Sequence, residues 1–368
     1  MNEPITNLPT VTPSPIEADA PNLRSRTERP VDSTAPAMSV SIVLEWENMT
    51  YAAEERPRQT LASLKTQAEA LFSTAPSPSA KNAPPIRLSA PLEVILPYNS
   101  DTIDEAEFLR HAADLITESE ALDVRLLAVS GETYCFQKNA GAAAATGDLV
   151  IFLDSDVTPE PTWLAAFMQA FLEPRVQVAV GNTYVDIGRG DAYSRAMALS
   201  WMFPLRDTLG GVKPSTWFYA NNVAFRKAVL RSHQFPHTPG LKHRPAALLV
   251  QQLEREGITL WHVGEARGHH PAPNGPGHFF LRAVAAGRAR ILSNPSSSLS
   301  TVLNFIRADI IETGWCCKRI VVEGSKVELK SWQVPAAIGI TIAYYALRLS
   351  GSLVTYLVPS LMRDRFDL

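Results

Sequence analysis

The stretch TGDLVIFLDSDVTPEPTWL, Thr146 to Leu164, decides the fold. Its apolar run is short, continuous and β-branched, and it stops at Asp154-Ser155-Asp156, which reads as a buried strand with two acids at its carboxyl end. Thr158 is placed to cap a following helix that has Pro161 early in it. Two carboxylates one residue apart point to opposite faces of an ideal strand. Where the chain turns, both can reach one cavity. One reading therefore has Asp154 ending the strand and Asp156 capping the next turn. The other has them gripping a hard cation, Mg2+ or Mn2+, of the kind that holds substrate phosphates.

The surroundings weigh on that choice. Upstream, strands are predicted at Ser39–Trp46 (SVSIVLEW), at LEVILPY and at VRLLAV. Between them lie an amphipathic helix with Leu61, Leu64, Ala68 and Leu71 on one face, and a second with Ile103, Phe108, Ala112 and Ile116. Thr133–Thr146 is Ala-rich and helical. Apolar strands alternating with helices predict an α/β fold, with a mostly parallel sheet covered on both faces. Such sheets bind ligands at the carboxyl ends of their strands, where Asp154 and Asp156 lie. Downstream, VQVAVGNTYVD reads as a strand, Ala192–Pro204 as a helix with Met197, Trp201 and Met202 in the core, and STWFYANNVAFRKAVLRS as loop turning into helix. ALLVQQLEREG is a helix stopped by Gly257, and ITLWHVGEARGHH a strand ending in two histidines.

The block FQKNAGAAAATGDLVIFLDSDVTPEPTWL resembles the family 2 glycosyltransferases of the GT-A fold, a Rossmann-like nucleotide-diphospho-sugar transferase fold. Asn139, Gly141, Ala145, Gly147 and Asp148 stand where the family's N-x-G…A-x-G-D element has them, followed by Asp154-x-Asp156, Pro161 and Trp163-Leu164. Leu61, Ser63, Leu64 and Gln67 are similar to the family's first helix. Asn222, Ala224, Phe225 and Arg226 are similar to its acceptor-side segment. The resemblance runs from about Ser39 to Arg290.

It implies a hexosyltransferase-like enzyme that moves a sugar from a nucleoside-diphosphate sugar to an acceptor of envelope-polysaccharide or lipid-linked type, with metal assistance and inversion. Asp154 would face the ribose or sugar, and Asp154, Asp156 and a late histidine, His270 ahead of His269, would hold Mg2+ or Mn2+. Lys138 and Asn139 would flank the phosphates, and Asn222 and Arg244 would lie on the acceptor side.

Three departures accompany the resemblance. The first strand ends in Glu45-Trp46-Glu47-Asn48, so Trp46 would stack on the base and Glu47 accept a hydrogen bond from it. The second ends in Pro97-Tyr98-Asn99-Ser100, where the family has a base-reading aspartate; Asn99 takes that place unless Asp101 reaches in. The family's acidic pair falls near Pro245 and Ala246, where no carboxylate stands. His243 is then the nearest group able to act as general base near neutrality. A competing reading is a degenerate GT-A module that binds a nucleotide or partner without turnover. A lesser one is a phosphatase of haloacid-dehalogenase type on Asp154-x-Asp156-x-Thr158.

Composition bounds the rest. The chain has 368 residues, a net charge of −3 and three cysteines (Cys135, Cys316, Cys317), which argues against a nucleic-acid partner, a disulfide framework and a zinc site. A cytoplasmic enzyme, at the inner face of a membrane, fits. Residues 1–38 are polar and Pro-rich, hence disordered by composition. Residues 39–292 form the transferase domain, and 293–368 a helical, apolar extension suited to membrane contact. Within it Val334–Met362 is long enough to span a bilayer, but Arg348 sits in its middle. A span, an interfacial hairpin and a buried helix all stay open.

Overall fold

The structure is a computed structural model that describes residues 36–46, 55–72, 86–106, 119–130, 134–188, 190–206, 210–237, 244–294 and 298–363. Glu47, His243 and the disordered-segment expectation for residues 1–35 lie outside these, as does most of the predicted helix on Phe108, Ala112 and Ile116. The side chain of Arg244 lies outside them too.

In chain order the main elements are β1 (Val40–Glu45), α1 (Glu55–Phe72), β2 (Leu92–Asn99), β3 (Leu122–Val129), α2 (Tyr134–Ala144), β4 (Leu149–Asp154), β5 (Thr158–Pro159) and α3 (Trp163–Ala170). Then come β6 (Val178–Val185), α4 (Ala192–Ser200), β7 (Val212–Ser215), β8 (Asn222–Arg226), α5 (Lys227–Leu230), α6 (Arg244–Arg255) and β9 (Leu260–His270). The chain closes with α7 (Gly275–Leu292), α8 (Leu299–Glu323), α9 (Val334–Leu357) and α10 (Pro359–Arg363). The described strands of the main sheet run β3-β2-β1-β4-β8-β6-β9-β5, with β7 also on β9.

The first half of the sheet, β3 to β4, is parallel as expected. The second half is mixed: β8 is antiparallel to both β4 and β6, and β9 is parallel to β6 but antiparallel to β5 and β7. The α/β fold is as expected, with its second half more mixed than the sequence implied. The reason is β8, whose residues Asn222–Arg226 read as loop entering a helix but form a buried strand wedged between β4 and β6.

Every residue of β1 and β4 is buried. Alternation divides them between two cores. Ile42, Leu44, Ile151 and Leu153 face α1 and α3, where Leu61, Leu64, Trp163 and Phe167 pack. Val43, Val150 and Phe152 face α2 and α6 with Tyr134, Leu249 and Leu253. Gly141 of α2 lies so close to β1 that an added Cβ would sit 2.4 Å from Val43 Cγ1. The Thr146-Gly147-Asp148 element ties down the opposite end of the sheet from the acids: Thr146 N–H donates to Glu93 (2.8 Å), Gly147 N–H to Ser41 Oγ (2.8 Å), and Ser39 Oγ to Asp148 (2.7 Å).

Thr158 does not cap α3. It belongs to β5, pairs with His269, and the residue before the helix is Thr162, which makes no side-chain cap. Ala37–Met38, the last two residues of the segment 1–38, pair with Arg87–Leu88. Two short 3-10 helices, Gly324–Val327 and Ser331–Gln333, link α8 to α9.

The region from 293 on packs onto the rest through a third core, with Cys316, Ile320, Tyr344 and Tyr345 against Met197, Leu199 and Trp201 of the α4 region. Met202 faces solvent instead. Helices α7 and α9 meet at Gly287 and Gly351: a Cβ on Gly287 would lie 1.9 Å from Arg348 O, and one on Gly351 2.3 Å from Val284 O.

Candidate active site

Alternation along β4 determines what its terminal acid meets. Asp154 shares a face with Val150 and Phe152, the face covered by α2. There Tyr134 Oη donates to both carboxylate oxygens (2.8 and 3.0 Å), and Lys138 Nζ lies 2.7 Å from Oδ1. Lys138 is fully buried, with its ammonium 4.4 Å from the centre of the Tyr134 ring. Burial and the Asp154 and Glu45 charges push the Tyr134 phenol well above its ordinary pKa, so it stays a donor. Lys138 therefore faces Asp154 and not an open phosphate site, and both Asp154 oxygens already hold protein donors.

Asp156 has a different environment. After the turn at Ser155, β5 pairs antiparallel with the end of β9, in the register Pro159 with Gly268 and Thr158 with His269. Just beyond that pairing, Asp156 Oδ2 lies 3.3 Å from His270 Nε2. His270 Nδ1 donates to the Pro271 carbonyl (2.6 Å), which leaves Nε2 as the nitrogen facing the acid. Trp201 and Phe203, which touch each other, both pack against the imidazole, with ring centroids 5.3 and 4.9 Å from it. Asp156 Oδ1 is buried and has no hydrogen-bond partner among the described residues. Burial raises the Asp156 pKa and the Asp154 charge raises it further, while His270 and Arg282 oppose them.

A cavity of about 450 Å³ opens beside this pair, lined by Asp156 and His270 and also by Asp186, Asp191, His278 and Ile340. Asp186 is held well below the usual carboxylate range, first by His269 and then by Arg56. His269 thus sits beside Asp186 and Arg56, its Nδ1 accepting from the guanidinium (3.0 Å), while His270 is the histidine at Asp156. Asp191 caps α4, its Oδ1 accepting from Ser194 N–H (2.7 Å).

The other expected site residues are placed by packing. Asn139 clamps the 235 loop, donating to Phe235 O (2.8 Å) and accepting from Phe235 N–H (3.0 Å), so its amide is committed away from a phosphate. Asn222 is buried, accepts from Trp163 Nε1 (2.8 Å) and donates to Ala266 O; it braces α3 against β8 and β9 rather than lining the cavity. Trp46 is fully enclosed in the core and offers no face to a base. Asn99, half-buried at the end of β2, accepts from Asp101 N–H.

A divalent cation fits part of this arrangement. An orphaned buried carboxylate oxygen beside an imidazole nitrogen whose tautomer is set by a backbone carbonyl is a donor set that Mg2+ or Mn2+ accepts. Among the described residues no group of three or more His, Cys, Asp or Glu converges on one point, so the protein supplies a partial shell. Asp154, taken up by Lys138 and Tyr134, orients the turn rather than completing that shell.

Residues 93–233 match the model of the family described as Glycosyl transferase family 2. That segment runs from β2 through the two aspartates to α5. No curated protein matches the chain. Similar solved structures include S. aureus TarS 1-349 in complex with UDP-GlcNAc (14% identity, 90% of each chain, TM-score 0.45). Another is the mannosyltransferase PcManGT from Pyrobaculum calidifontis in complex with GDP-Man and Mn2+ (14% identity, 91% of this chain and 88% of that one, TM-score 0.44). At these scores no residue role is carried over from them.

Proposed function

We propose that the protein transfers a sugar from a nucleoside-diphosphate sugar to a carbohydrate or lipid-linked acceptor, with Asp156 and His270 holding Mg2+ or Mn2+. The observation that carries this is the unpartnered, buried Asp156 Oδ1 facing His270 at the edge of the cavity. When bound, the cation would neutralise charge on the diphosphate leaving group. With only two protein donors, the remaining positions are left to phosphate oxygens and water, as Mg2+ prefers.

The chain's own residues do the positioning. Lys138 and Tyr134 fix Asp154 and hence the turn that aims Asp156, and the Pro271 carbonyl fixes the imidazole of His270. Inversion by direct displacement needs a base on the acceptor side. His243 is one candidate from the sequence, and Asp191, which lines the cavity beside Asp156 and His270, is a second. Asp186 is a poor one because its partners lower its proton affinity. The phosphatase reading does not suit an Asp154 enclosed by Lys138 and Tyr134, since a nucleophile must reach substrate. The apolar C-terminal helices support an acceptor met at the cytoplasmic face of a membrane.

The test is nucleotide release from UDP- and GDP-sugars with and without Mn2+. Metal-dependent release that is lost in Asp156→Asn supports transfer. Absence of release from every donor, with intact nucleotide binding, favours the degenerate binding module.

A further inference from the structure

Helix α8 turns the wrong chemistry toward water. Its inner side carries Val302, Asp309, Cys316 and Ile320, all buried. Its outer side carries Leu303, Ile310, Ile311, Trp315, Val321 and Val322, each more than half exposed, the highest at 66%. The exposed charges among them are Arg307 and Lys318; the Glu312 side chain is 44% exposed but is paired with Arg348. Its carboxylates are used elsewhere. Asp309 meets Arg290 (2.6 Å) and Arg348 (2.5 Å), Glu312 meets Arg348, and Glu323 meets Arg319 and Lys326. Beyond the helix, Lys330 is exposed and Trp332 is 74% exposed, while the exposed Glu328 lies 3.8 Å from Arg195. Twenty-five helical residues extend about 37 Å. An apolar face of that length on a folded chain marks an interaction surface.

We infer that the outer face of α8 docks in the plane of an anionic lipid bilayer. Charge selects this occupant. Basic side chains interleaved with Ile, Val and Trp suit the headgroup boundary, where each Lys or Arg contributes about 1 kcal/mol toward anionic lipid. Trp315 and Trp332 are of the aromatic type that prefers that boundary. A second copy across a two-fold axis would set Arg307 and Lys318 against their own equivalents. The inference deepens the membrane-contact part of the reading above and moves it. Ser331–Leu357 is long and apolar enough to cross a bilayer, yet in this fold it packs on α7 at Gly287 and Gly351 and its Arg348 holds two carboxylates. Contact by α8 needs no spanning helix.

The experiment is flotation of the purified full chain with phosphatidylcholine vesicles, with and without phosphatidylglycerol. The chain should float with the anionic vesicles, weakly with the neutral ones, and less as salt rises. Arg307→Glu with Lys318→Glu should lower anionic-vesicle binding roughly tenfold or more, and Ile310→Glu with Val322→Glu should abolish it. Both variants should keep the wild-type circular dichroism and nucleotide release measured without vesicles, a readout that tests the transferase reading separately. The inference is overturned if the wild type stays unbound, if the apolar variant floats like the wild type, or if sedimentation shows a wild-type dimer that the variant dissolves.

Discussion

Lys138 and Asp154 form an ion pair with the lysine fully buried and the acid nearly so. Removing one partner of such a pair strands the other charge, which costs more than losing the contact. Lys138→Met should therefore lower unfolding free energy by about 3–5 kcal/mol in urea denaturation. Adding Asp154→Asn should recover much of it, because the orphaned carboxylate is gone. Glu160 shows the opposite case of a carboxylate with ample donors. Arg206, Tyr184 and Arg267 hold it down to about 2 from 4.5. Its folded pKa lies below its unfolded value, so its contribution is present above pH 4.5 and is lost as pH falls toward 2. Thermal melts across that window should show a loss that Glu160→Gln flattens. At this scale the sequence revealed the acids but not their separate environments. Asp154 and Asp156 look equivalent in a triplet. They differ because strand alternation aims one at α2, while a two-residue strand too short for any periodicity signal aims the other at His270.

Elements whose local pattern agreed with their tertiary role were legible. β1, β2 and β4 are apolar and continuous, and α1 shows its buried stripe at Leu61, Leu64, Ala68 and Leu71. β8 was not legible, because Asn221-Asn222 at its start and Arg226-Lys227 at its end resemble a loop entering a helix. Its strand form comes from β4 and β6 on either side, a long-range cause. The pairing of α7 with α9 likewise depends on two glycines 64 residues apart, Gly287 and Gly351, that permit the close approach. Gly287→Ala should destabilise by about 1–3 kcal/mol through overpacking, read by chemical denaturation. An alanine at Gly314, inside α8 where an added Cβ meets nothing within 4 Å, is the control and should stabilise by about 0.5–1 kcal/mol through helix propensity.

The whole molecule joins a parallel half-sheet, which presents strand ends, to a mixed half whose last strand returns to the acids. The family 2 match ends at residue 233, before β9. His270 and the apolar helices beyond it are therefore read from this chain's own geometry. Helix α9 walls the cavity through Ile340 and Ala343, so the region after 293 shapes the site instead of merely trailing the domain. The central claim is that Asp156 and His270 hold a divalent cation for a nucleoside diphosphate. Titrating Mn2+ into the protein by electron paramagnetic resonance, with UDP or GDP present, tests it most directly. The account predicts loss of the free-ion signal with the wild type, weaker capture by His270→Ala and none by Asp156→Asn. Capture by Asp156→Asn as tight as the wild type's would contradict it.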